Sequence, residues 1–380
     1  MATIDKALII GGGVSGLAAA TALRRRGVDV EVHERYDHLQ GRATGFTVWA
    51  YAIQHLSDLG VSEDQLAAIG SPLLVTEIRN HRGELLEALP IGDASQAVGH
   101  PSYEVDRADL QRVLLDGLGD GVVHMGSEVT AVDAEAGTVT LADGSTREAD
   151  LILGCDGIHS VARDAVAGHH ELTYSGYAAW SAVAEFTSDD LQTGHHIELW
   201  GPGHKAGVGD VGGGRARWYI TAKADSGEER TPDQLEASVE GWMPIIRDAL
   251  RATPPETIVR AEGWYLKKLP RWVTGRVALL GDAAHAMTAF GSNGACTAID
   301  DVHDLVRHLD AEATIADALT AYEHDRKSYG EAQVKRANRM GLLAQLHRPL
   351  AAARDSFLSH VPAEKVPEIA RDMVSGPKVA

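Results

Sequence analysis

Residues 281–301, GDAAHAMTAFGSNGACTAIDD, decide how this chain is read. The apolar run Arg276–Leu280 predicts a short strand that delivers a Gly-Asp pair. From about Gly294, the spacing of Ile299, Val302, Leu305 and Val306 predicts a helix with an apolar inner face. Between them, Phe290–Ala295 forms a glycine-bearing loop. A carboxylate just past a strand can accept hydrogen bonds from the hydroxyls of a polyol chain. The loop adds backbone N–H groups and the positive end of a helix, which suit an electron-rich ring edge. Together they predict a fold closing around a flavin, with Asp282 on the ribityl chain and the loop at the pyrimidine edge. His285, set within Ala-Ala-His-Ala, reads as a packed or hydrogen-bonded structural residue rather than a base.

A second nucleotide signal lies far upstream. Lys6–Glu34 reads as a βαβ unit: the strand ALII, a G-x-G-x-x-G turn, a helix from about Val14 to Arg26, Gly27 as terminator, and the strand Val28–His33. Gly11 makes the tight bend, Gly13 lets backbone approach a pyrophosphate, and Gly16 brings the helix close to the strand. Glu34 follows Gly13 by 21 positions. An acid is wanted there to accept from an adenosine ribose with a free 2′-hydroxyl, as in FAD or NAD. The competing reading is a glycine turn in an α/β protein without a ligand.

Between these segments, Asp106–Leu118 predicts a helix with Arg107 near its start, able to reach cofactor phosphates or a ribityl chain, or else simply solvated. Val122–His124, Val129–Val132, Thr138–Leu141 and Ala149–Gly154 predict a small meander with a turn at Asp143-Gly144. It ends in CDGIHSVAR, Cys155–Arg163, where Asp156-Gly157 is either a second ligand edge or a turn capped by Asp. Leu172–Gly263 predicts a mainly antiparallel sheet crossed by one helix, Pro232–Arg251, and Leu73–Leu89 a further hairpin. After Asp301 the chain reads as mostly helical, broken at Pro349, with the last twenty residues as a loosely held tail.

Composition bounds the rest. A chain of 380 residues predicts two domains, or one with an inserted lobe. The net charge of −19 argues against nucleic acid, whose phosphates favour Lys and Arg clusters. Cys155 and Cys296 are the only cysteines, and neither forms a C-x-x-C pair, which argues against a disulfide framework or a metal site. No signal segment and no apolar run of membrane-spanning length is read, so the expectation is a soluble, cytoplasmic protein with no membrane partner. Nothing in the sequence specifies an oligomeric state.

The ordered set GGGVSG, CDGIHSVAR and GDAAHAMTAFGSNGACTAIDD, with Glu34 and Arg107 between, resembles the class A FAD-dependent aromatic hydroxylases of the para-hydroxybenzoate and salicylate hydroxylase type, over roughly residues 1–350. The resemblance implies an α/β fold: a discontinuous Rossmann-like FAD-binding domain (1–72, 98–170 and 275–350), an inserted mainly antiparallel substrate domain (73–97 and 171–274), and a helical C-terminus with a tail (351–380). It implies FAD contacts at Gly11, Gly13, Val14, Ser15, Gly16, Glu34, Arg35, Arg107, Asp156, Gly157 and Asp282, and at Gly291, Ser292, Asn293, Gly294 and Ala295 beside the ring. The implied reaction inserts one atom of O2 into a small or polycyclic aromatic compound through a flavin C4a-hydroperoxide, with NAD(P)H as transient co-substrate. No second dinucleotide hexad is present to bind NAD(P)H separately.

One departure is Ala289, where the family usually has proline before the loop; it bears on substrate orientation rather than on FAD. Lys205 and Tyr219, on adjacent predicted strands, are the candidates to position or deprotonate substrate, against an exposed lysine and a sheet-packed tyrosine. Trp180, Trp200 and Trp218 either shape an aromatic pocket or belong to the core. Epoxidation, Baeyer–Villiger oxidation and a non-catalytic FAD-binding module stay open. A flavin halogenase does not fit, because Trp264-Tyr265-Leu266-Lys267 lacks its W-x-W-x-I-P segment.

Overall fold

The computed structural model describes residues 2–39 and 44–376. Its central sheet has six strands, in the order 273–274, 277–279, 151–154, 6–10, 29–33 and 123–124. The four inner strands run parallel, with Ile10 beside Gly154 and Gly154 beside Leu279. Strands buried on both faces read as apolar runs, and Leu8, Ile9, Leu151, Ile152 and Leu153 are fully buried here. The register has a direct consequence for the site: the three segments beginning at Gly11, Cys155 and Leu280 leave the sheet side by side at the carboxyl ends of neighbouring strands. That edge is where ligands bind in open α/β sheets.

The helix after the first strand, Val14–Arg24, ends two residues earlier than expected, in a turn closed by Gly27 at φ +81°. Only part of the expected meander forms one sheet. Val129–Asp133, Thr138–Leu141 and Thr146–Glu148 pair with one another, whereas Val123–His124 and Leu151–Gly154 belong to the central sheet.

A seven-stranded sheet forms the second layer, in the order 259–266, 172–185, 215–223, 204–212, 195–200, 75–80 and 85–89. It is antiparallel except where Val75–Asn80 runs parallel to His195–Trp200. One of its faces, with Trp180, Trp218, Ile220 and Leu199, joins a separate core with the helices Pro232–Ser238 and Pro244–Arg251. These two helices replace the single expected one. Pro244 disfavours helical backbone at Met243, which is extended at ψ 129°, so the chain breaks before restarting with proline in the first turn.

The long helix Gly294–Ala311 packs against Val14–Arg24 and against the second long helix, Ile315–Ala344. The expected loose tail is corrected: Val366–Val374 is a helix that packs against Ile91–Val98, with Ala370 and Val374 fully buried at helical spacing. Residues 377–380 of that tail lie outside the described residues. Among the described residues, no helix is long and apolar enough to cross a membrane.

Candidate active site

The three strand ends meet closely enough that only glycine fits at two points. Gly11 sits at φ +102°, and a Cβ there would lie 2.4 Å from the Cys155 carbonyl oxygen. A Cβ on Gly16 would lie 2.0 Å from the Gly11 carbonyl oxygen. Ser15 joins all three segments: its hydroxyl is hydrogen-bonded to the Cys155 thiol and lies 3.3 Å from where a Cβ on Gly281 would stand. By contrast, a Cβ on Gly13 would meet nothing within 4 Å, so Gly13 faces open space. The helix beginning beside it has no side-chain cap, leaving its first N–H groups to a ligand.

That space is a cavity of about 250 Å³ whose walls include Gly11, Gly13, Glu34, Arg35, Arg107, Asp156 and Gly157. Glu34 is turned into it, accepting from Gly12 N–H at 2.7 Å and Tyr36 N–H at 3.1 Å. Asp156 is the capping residue of one expected reading, and it also stands in the cavity wall. One oxygen caps the helix Val161–Ala167 through the N–H groups of Val161 (2.7 Å) and Ala162 (3.1 Å), while the residue lines the cavity and burial pushes its carboxyl pKa up. Val14 packs in the core and Gly16 against Gly11, so these two can offer a ligand only backbone N–H groups. An uncapped helix start, a glycine with open space before it and an acid at the second strand's end fit the adenosine diphosphate half of FAD.

The turn after the strand Val277–Leu279 is held by a buried ionic cluster. Asp301 accepts from Gly281 N–H at 3.0 Å, lies 2.6 Å from His285 Nε2 and receives Arg326 Nε at 3.0 Å. Burial pushes the Asp301 carboxyl up, but His285 and Arg326 outweigh it and hold its pKa below the ordinary value. His285 is therefore a structural residue, as read from the sequence. Gly281, at φ +59°, turns the chain so that Asp282 stands exposed at the head of a short helix.

Ala289 opens the following 3₁₀ turn, and Ser292 is the single non-glycine residue at positive φ (+47°) among the described residues. Trp49 Nε1 fixes it by donating to its carbonyl at 3.1 Å. Asn293 turns its side chain inward, between the Tyr51 hydroxyl and Gln333, both at 2.9 Å. The loop thus presents backbone, and the helix starting at Gly294 again lacks a side-chain cap. Trp49 and Tyr51 were not singled out from the sequence, because nothing local connects them to a loop more than 240 residues away.

The other face of the seven-stranded sheet looks toward this loop, with Tyr177 meeting Phe290 edge-on at 6.1 Å. Lys205 and Tyr219 both project from it. Lys205 is 3% exposed, not solvated, and its Nζ lies 2.7 Å from Glu198 Oε1. The Tyr219 hydroxyl donates to the same oxygen at 3.2 Å. Burial pushes Glu198 up, but Lys205 and His196 outweigh it and bring its pKa to about 2. Burial and Glu198 raise Tyr219 well above its ordinary range.

Beside them, Arg217 is ion-paired with Glu104, which also accepts from Thr47 Oγ1 at 2.7 Å. Burial, then Arg217, bring His196 down to about 4. Glu198, Glu104 and His196 were missed in the sequence; polar residues alternating with apolar ones in HHIELW (195–200) and YEVD (103–106) were the available sign. Trp180 and Trp218 belong to the core on the opposite face, where Trp218 Nε1 donates to Thr253 Oγ1 at 2.7 Å. Trp200 shares the site's face and donates to Glu198 at 2.9 Å.

Comparison with known proteins agrees with this geometry. Residues 5–337 match the FAD binding domain family. The chain is 33% identical to an aurachin C monooxygenase/isomerase of Stigmatella aurantiaca, over 94% of this chain and 95% of that one. It is 32% identical to an FAD-dependent urate hydroxylase of Klebsiella pneumoniae, over 84% and 85%. The structure of Klebsiella pneumoniae HpxO complexed with FAD and uric acid superposes with a TM-score of 0.90 at 29% identity, covering 97% of this chain and 96% of that one. The chain thus belongs to the FAD binding domain family, as an FAD-dependent oxidoreductase of the aromatic hydroxylase type.

Proposed function

We propose that the protein uses NAD(P)H and O2 to hydroxylate a small or polycyclic aromatic compound. The observation that carries this reading is the placement of a polar but enclosed sheet face opposite the loop 289–295, at the end of the cradle away from the adenosine site. Bound FAD would accept a hydride from NAD(P)H and activate O2 for transfer of one oxygen atom.

The chain's own residues then have separable tasks. The N–H groups at Val14–Gly16 hold the pyrophosphate, Glu34 and Arg35 the adenosine ribose side, Arg107 and Asp156 the linking region, and Asp282 the ribityl hydroxyls. Backbone N–H groups of Gly291–Ala295 stabilise negative charge at the ring's pyrimidine edge, with Asn293 and Trp49 keeping the loop in place. Lys205 and Tyr219 orient substrate from the sheet. Tyr219 holds its proton toward Glu198, so it positions rather than deprotonates. Phe290 and Tyr177 cover the junction and limit water.

The test is anaerobic mixing of the FAD-loaded protein with NADH or NADPH in the presence of candidate aromatics, followed by admission of labelled O2. Substrate-accelerated bleaching of the flavin and one labelled oxygen in the product are expected. Hydroxylated product, epoxide and ring-inserted ester are separated by mass and retention. No aromatic accelerating reduction, with FAD firmly bound, would leave the non-catalytic module as the better account.

A further inference from the structure

The substrate-facing side of the seven-stranded sheet carries charge, yet that charge is already paired. Lys205 is matched by Glu198 on the same face, and Arg217 by Glu104 on the strand Tyr103–Asp106 of a three-stranded sheet packed against it. The Tyr219 ring stands between the two cations, 5.6 Å from Lys205 Nζ and 5.7 Å from the Arg217 guanidinium. Gly207 makes this possible: a Cβ there would fall 2.6 Å from the Tyr219 hydroxyl. Lys223, on the same alternation, lies exposed at the strand's solvent end.

Next to this paired cluster the central strand Leu172–Glu185 presents a different surface. Ala178, Trp180 and Ala182 are buried in the core, while Tyr177, Ala179, Ser181 and Val183 on the facing side are half-exposed. An inner strand whose outward residues stay open is a floor on which a flat molecule can lie. This floor begins at Phe290 and reaches Tyr219, since Ser181 pairs with Tyr219 in the register. Its side chains are small or aromatic, and none is charged.

Resting on the hydroxylation proposed above, we propose that the site selects uncharged aromatic substrates and rejects the matching carboxylates. The Tyr219 hydroxyl donates to Glu198 across Gly207, on the side of its strand away from the floor, so it is no donor for a carboxylate lying there. A carboxylate would have to be desolvated against a floor without charge, beside cations that Glu198 and Glu104 already satisfy. Glu198 is accordingly the specificity-determining residue: it keeps Lys205 from acting as a free carboxylate receptor.

The experiment is titration of the FAD-loaded protein with isosteric pairs, 4-hydroxybenzamide against 4-hydroxybenzoate and 6-hydroxy-2-naphthamide against 6-hydroxy-2-naphthoate, read as perturbation of the flavin absorbance. The wild type should bind each amide at least ~10-fold more tightly than its acid, the scale of one unpaired charge interaction. Glu198→Gln should shift that ratio at least ~10-fold toward the acid by releasing Lys205. The double variant E198L/K205M, which removes both charges, should keep the amide preference and also serves if E198Q fails to fold. Equal or tighter binding of the acids by the wild type, no flavin perturbation by any of the four, or a ratio unmoved by a folded E198Q, overturns the proposal. Amides that bind selectively but never take up oxygen would instead sink the hydroxylation and leave the selectivity standing.

Discussion

Replacing Asp301 with asparagine tests whether the buried cluster, rather than any chemistry of His285, holds the flavin-facing turn. Asp301 is fully buried, and its two oxygens serve Gly281 N–H, His285 and Arg326. Asparagine keeps the shape but turns one acceptor into an NH2 donor aimed at other donors, and it removes the charge facing Arg326. Arg326 would then rely on Asp300 and, at 3.5 Å, Asp304. Breaking a buried pair on one side costs ~3–5 kcal/mol. An unfolding entropy of ~2 cal/mol/K per residue gives ~0.8 kcal/mol/K for a chain of 380, so the expected fall in Tm is ~4–6 °C. The control is Asp310→Ala, which removes the partly exposed pair with Arg26 and should move Tm by about 1 °C at most. Differential scanning fluorimetry of the apoprotein measures both, and a flavin titration should also show weaker FAD binding in D301N, because Gly281 loses the acceptor that fixes it. If D301N melted with D310A and bound FAD normally, the cluster would not be what holds the turn.

Further perturbations follow from the same geometry. Gly11→Ala puts a side chain at φ +102° against the Cys155 carbonyl; strain of ~1–3 kcal/mol alone lowers FAD affinity ~5–150-fold, and the clash adds to it, so the purified variant should be nearly colourless. Gly13→Ala meets no protein atom and should keep the apoprotein's Tm while weakening FAD, which equilibrium dialysis against FAD would check. Acid should destabilise the protein in two steps. His196 titrates near 4 instead of 6.5, so its unfolded form binds more protons and stability falls as pH drops from about 6.5 to 4; Glu198, at about 2 instead of 4.5, contributes stability that is full above 4.5 and lost toward 2. Urea midpoints from pH 7 down to 3 would read this, and a flat profile would count against the buried network. Tyr219→Phe should uncouple NAD(P)H oxidation from product, and Lys205→Ala should in addition lower stability by ~3–5 kcal/mol because Glu198 is left buried without its partner; unchanged coupling in both would remove these residues from the site.

What could be read from the sequence was whatever a local pattern enforces. Each of the three nucleotide motifs follows an apolar run, so strand, turn and helix start were visible at Gly11, Asp156 and Gly281, and His285 in its alanine context was visibly structural. The break before Pro244, where proline restricts Met243, was missed because the apolar spacing on either side masked it. The docked C-terminal helix buries Ala370 and Val374, with Val366 and Met373 partly buried against the same core, a weak signal within an otherwise charged segment. The site's second half was hidden for a different reason. Glu198, Lys205, Arg217 and Glu104 acquire meaning only through strand register, which places Glu198 opposite Gly207 and Gly207 opposite Tyr219. Register is set by contacts across strands and by the glycine that lets Tyr219 lie flat, and no window of sequence contains both. On the proposed reading FAD is held by backbone at strand ends and could be inferred from motifs, whereas substrate would be chosen by side chains meeting across strands, so relatives sharing the first can differ in the second.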